Sequence, residues 1–156
     1  MKKVLLLVPH EDDELLIGGG LLVCLARDKK YDVSVVIATN GDYYPYEHPY
    51  RIQESVTALK KMGINNDHIF FLGYGDDWHG KHIYNSNPDE IKESAAGHTE
   101  TYLTSNLKEW HYQRHQRHQV YTRNGYLDDI KDVIVTMSPD IIICVDMDPH
   151  QDHRCL

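Results

Sequence analysis

Two short stretches concentrate groups that bind metal ions or move protons. Residues 9–14 read PHEDDE and set His10, Glu11, Asp12, Asp13 and Glu14 in a row. Near the other end, DMDPHQDH carries Asp146, Asp148, His150, Asp152 and His153. His10 and Asp13 are three residues apart, as are His150 and His153, so each pair can aim at one point from a turn. A catalytic zinc takes three protein ligands from His, Asp, Glu or Cys and keeps a fourth position for water. Together the stretches offer a His/Asp/His set with carboxylates and one histidine left over. A hydrolase needs such remainders: a base for the attacking water, and an acid or cation for the oxyanion. Each stretch alone also has a plain reading. Acidic residues in a helix's first turn complement its dipole, and DPHQDH suits a solvated loop.

The segments before these clusters make the chemical reading the better one. VLLLV is a continuous apolar run, as expected of a strand covered on both faces. GGGLLVCLARDKK has helical character with a basic end. DVSVVIAT is a second β-branched run that stops at the turn signal NGD. YRIQESVTALKKMGI places Ile52, Val56, Leu59 and Met62 on one helical face, and Gly63 ends it. HIFFLGYG is a third strand. YLDDIKDVIVTMSPD predicts a helix with Leu127, Ile130, Val133 and Ile134 inward, and DIIICVD a fourth strand. This alternation predicts a Rossmann-like α/β fold, a mainly parallel sheet with helices on both faces, in one domain over 1–156. Ligands of open α/β sheets bind beyond the carboxyl ends of the strands, where both clusters fall. Residues 74–125 break the pattern and read as an irregular, lid-forming excursion with a helix near 101–119.

Composition narrows the partners. Sixteen Lys and Arg against 24 Asp and Glu leave a net charge of −8, which argues against a nucleic-acid surface. Eleven histidines point instead to metal and proton chemistry. Cys24 and Cys144 lie in apolar runs and read as small buried hydrophobes, with no disulfide frame. The apolar start is too short for a signal-peptide core, and no segment could span a membrane, so a reduced cytoplasm is expected.

PHEDDE and HQDH, in this order and after strands, resemble the (A/P)HPDDE and HxDH motifs of the LmbE-like, or PIG-L-type, zinc-dependent N-acetylglucosaminyl deacetylases. ATNGD, RIQESVTALKKMG and LGYGDD resemble the family's intermediate segments, so the likeness covers nearly the whole chain. It implies a zinc site of His10, Asp13 and His153, with iron(II) or another divalent ion as a permitted occupant. It further implies Asp12 as general base and His150 as partner of the oxyanion, oriented by Asp152 or Asp146. Arg51 and Asp76 fall where the family contacts substrate. The implied reaction removes an acetyl group from a small-molecule N-acetylated sugar conjugate. A related amidase acting on a larger acyl group, and a non-catalytic sugar- or metal-binding domain, are the competing readings.

Three departures stand out. Glu11 replaces the family's proline, Asp42 replaces its Glu, and the chain stops three residues after His153, where the family continues. The sequence is therefore expected to be a fragment or a shortened form. HYQRHQRH sets His111, His115 and His118 on one helical face, but Arg114 and Arg117 are interleaved, so a solvated or interface helix is expected rather than a metal site. Trp110 and the nearby tyrosines could alternatively face a sugar. His79 and His82, in GDDWHGKH, are expected at the surface.

Overall fold

A computed structural model describes residues 1–44, 48–76, 83–103, 106–145 and 149–156. Four strands form one sheet in the order β3-β2-β1-β4, and every pairing is parallel. The strands are β1 (Lys2–Val8), β2 (Tyr31–Thr39), β3 (Ile69–Tyr74) and β4 (Ile141–Cys144). Between them run α1 (Asp13–Leu16), α2 (Gly19–Arg27), α3 (His48–Met62), α4 (Trp110–His115) and α5 (Arg123–Met137).

The unbroken apolar run of β1 has a direct cause. Val4, Leu6 and Val8 face a core shared with Leu22 of α2 and with Ile52 and Leu59 of α3. Leu5 and Leu7 face a second core, with Trp110 of α4 and Tyr126 and Val133 of α5. A strand covered on both sides has no solvent face to alternate with. The same holds for β2, where Val35, Val36, Ile37 and Ala38 are all fully buried.

The strand order determines where a site can form. From β1 the chain moves outward to β2 and β3, then returns to place β4 on the other side of β1. The order therefore reverses between β1 and β4, which leaves a crevice beyond their carboxyl ends. Leu7 pairs with Cys144, so the two strands finish nearly level. His10 to Glu14 follow one strand, and His150 to His153 follow the other.

Several expectations change. The helix expected near 101–119 is only α4, which ends where Gln116 turns left-handed at φ 57°. The other described residues of the excursion up to Thr122 are irregular chain tied down by backbone bonds, Tyr102 N–H to Gly73 and Thr101 N–H to Gln119 among them. Trp110 is packed in the core with its Nε1–H on Asp132, 2.8 Å away, rather than facing a ligand. Leu127 points outward, because Tyr126, Asp129 and Val133 set the buried face of α5. Cys24 and Cys144 are exposed: one lies on the outer side of α2, the other on β4, an edge strand. The lid reading of GDDWHGKH, with His79 and His82, lies outside the described residues.

Candidate active site

The turn after β1 is built by its own polar groups. Asp13 opens α1, and its Oδ2 accepts the backbone N–H of His10 at 3.1 Å. The same oxygen lies 3.1 Å from His10 Nδ1 and 3.4 Å from His153 Nε2. From the β4 side, Asp152 Oδ2 reaches His10 Nε2 at 3.0 Å and stands 4.0 Å from His150 Nδ1. The structure thus brings together His10, Asp13, His150, Asp152 and His153 from opposite ends of the chain. Asp146, the other acid considered for orienting His150, lies outside the described residues, and so does Asp148.

These contacts set the electrostatics. Burial alone would lower the His10 pKa, but hydrogen bonds to Asp13 and Asp152 reverse that and raise it to about 10. Burial would raise Asp13, yet the His10 contact holds it below the usual carboxylate range. The pocket therefore stabilises positive charge at its floor. One donor atom from each of His10, His150 and His153 lies within 4.8 Å of the others. Asp13 Oδ2 lies close to two of those rings, His10 and His153. An imidazole and carboxylate set converging in this way fits zinc or another borderline divalent cation.

Above this floor is an open cavity of about 520 Å³, walled by Asp12, Arg51, Asp76 and the exposed tyrosines Tyr43 and Tyr44. Asp12 is the member of PHEDDE that reaches solvent, its side chain 58 % exposed. Arg51, on the first turns of α3, directs Nη1 to Asp76 Oδ2 at 3.4 Å and Nη2 to Asp12 Oδ2 at 3.8 Å. Asp76 is buried, which raises its pKa, and its backbone N–H is held by Asp42 Oδ1 at 2.9 Å. The other oxygen of Asp42 accepts the Tyr102 hydroxyl at 2.5 Å. The shorter acid at position 42 thus fastens the irregular segment to the cavity wall. A larger hollow of about 1080 Å³ lies between α3 and residues 98–103 and 106–109, away from the histidine cluster.

Sequence reasoning missed three side chains here. Glu11, read as a tolerated substitution, is fully enclosed and faces Arg51. Glu14 is also buried, and it accepts the Ser55 hydroxyl at 2.5 Å, which joins α1 to α3. Tyr102 reaches Asp42 across 60 residues of sequence. No local pattern signals such partners. The His111, His115 and His118 face also dissolves. His111 is buried on Asp129 at 2.7 Å, and His118, past the end of α4, pairs with Glu109 at 2.9 Å.

Neither a curated protein nor a solved structure matches the chain. A family does: the one described as PIG-L, GlcNAc-PI de-N-acetylase, matches residues 5–156. That span contains both strand-end clusters and the sheet that joins them, and the chain belongs to the PIG-L family of deacetylases.

Proposed function

We propose that this protein is a metal-dependent hydrolase that removes the acetyl group from a small-molecule conjugate of N-acetylglucosamine. The observation that carries the reading is the convergence of His10, Asp13 and His153 beneath a cavity whose rim holds Asp12. His10, Asp13 and His153 would hold the ion, zinc being the best match to this donor set. A bound zinc supplies a Lewis acid that polarises the acetamide carbonyl and makes water a better nucleophile.

The remaining steps belong to side chains of this protein. Asp12 takes a proton from the attacking water and passes it to the departing amine, as its exposed position at the rim allows. His150, whose ring centroid lies 4.7 Å from that of His10, donates to the carbonyl oxygen as negative charge builds there. Asp152 keeps that imidazole oriented, a role for which Asp146 is the other candidate. Arg51 and Asp76 hold sugar hydroxyls in the cavity wall. A reduced, cytoplasmic setting is part of the reading. No helix among those residues is long and apolar enough to cross a membrane.

The test is acetate release from a panel of N-acetylated sugars by metal-loaded protein. Asp12→Ala should lower kcat by at least ~100-fold while leaving metal content unchanged, the usual scale for losing a general base. Undiminished turnover in Asp12→Ala would overturn this mechanism.

A further inference from the structure

The Glu11 carboxyl is fully enclosed, and neither of its oxygens has a hydrogen-bond partner among the described residues. Leaving such a group unsatisfied is unfavourable, and more so when it is charged. The cation it faces is Arg51, whose Nη2 lies 3.9 Å from Oε2. The fold makes room for this carboxyl. Gly41 sits above it at φ 71°, and a Cβ there would come within 2.8 Å of Oε2 and 3.3 Å of the Arg51 Cβ.

The guanidinium is thus approached by three acids. Glu11 lies behind it, Asp76 beside Nη1, and Asp12 at the rim, 3.8 Å from the same Nη2. Glu11 and Asp12 compete for one nitrogen on unequal terms. Asp12 is mostly in water, whereas Glu11 is enclosed: burial and Asp76 push its pKa well above the ordinary glutamate value, and Arg51 opposes that shift. Asp76 holds Nη1, which leaves Nη2 to these two carboxyls.

We propose that Glu11 is a positioning residue that tethers the Arg51 guanidinium in the cavity wall, between Asp12 and Asp76. The tether draws Nη2 inward, so that Arg51 stands beside the base without closing on it. Residue 11 therefore acts through Arg51 and not on the reacting atoms. The kinetic consequence rests on the proposed function; the tether itself does not.

Glu11→Met tests it, because the substitution fills the slot and removes the carboxyl. Arg51 keeps Asp76 and its solvent contact when the carboxyl is removed, so folding is expected. The readout is the Arg51 Nε–Hε signal in ¹⁵N-labelled protein, assigned by its loss in Arg51→Lys. Its order parameter should fall toward that of Arg27, an exposed arginine, while the Asp76 contact still holds Nη1. KM for the N-acetylated substrate should rise about 10-fold, with a smaller fall in kcat, as expected when a binding contact is loosened. Should Glu11→Met unfold, Glu11→Leu carries the same comparison. Arg51 equally ordered with and without the carboxylate would overturn the tether whatever the activity. Arg51 freed in a protein with no deacetylase activity would uphold the tether and count against the proposed function alone.

Discussion

His10 sits between two carboxylates, Asp13 on one ring nitrogen and Asp152 on the other. Both contacts are donated together only by an imidazolium, and this is why its pKa rises despite burial. The acidic run around it divides by direction. Asp12 faces solvent, Asp13 the histidines, Glu11 the arginine and Glu14 the Ser55 hydroxyl. Residue types and spacing announced the His10 and Asp13 pair, because three residues is a distance a single turn spans. They were silent on Glu11, since its partner Arg51 comes from a different element, far along the chain. Gly41 supplies a test at this scale. Gly41→Ala should destabilise the fold by about 1–3 kcal/mol, read from urea denaturation, because a left-handed backbone and a crowded carboxyl both oppose a Cβ. The loss should be smaller in a Glu11→Ala background, where the crowding component is gone.

Among the elements, α4 and α5 depart furthest from their patterns. A histidine repeat suggested a solvated face on α4, yet buried bonds to α5 decide its orientation. Asp129 of α5 accepts both the Tyr74 hydroxyl and His111 Nδ1, each at 2.7 Å. Asp132, one turn on, accepts Trp110 Nε1 and, at 2.6 Å, Arg114 Nε. Aspartates on the inward side of α5 displaced Leu127 from its expected place, and hydropathy periodicity cannot foresee a polar interior face. Burial would raise the Asp132 pKa, but the Trp110 and Arg114 contacts outweigh it and leave the pKa below its ordinary 3.8. A depressed folded pKa contributes stability above the unfolded value and loses it as pH falls through the folded one. The denaturation midpoints of wild type and Asp132→Asn should therefore differ at pH 7 and converge at pH below the ordinary aspartate range. A gap that persists unchanged in acid would mean the charge of Asp132 is not what holds α4 to α5.

At the scale of the molecule, the site exists only because β4 inserts beside β1 and not beyond β3. His10 and Asp152 are 142 residues apart in the chain and 3.0 Å apart in space. Any ion held by both clusters is then a ligand of the folded state. Added zinc should raise the thermal midpoint of wild type but not of His153→Ala. At a free concentration of 100 times Kd the gain is about 2.7 kcal/mol. Equal midpoint shifts in the two proteins would show that zinc binds elsewhere, for example at exposed histidines. The sequence by itself determined the α/β alternation, the doubly covered β1 and the two clusters, because strand runs, turn signals and ligand spacing are local properties. It could not determine strand order, the enclosure of Glu11 and Glu14, or the inward aspartates of α5. Those depend on contacts between distant segments, whose energies arise only when the sheet has assembled and water has been excluded.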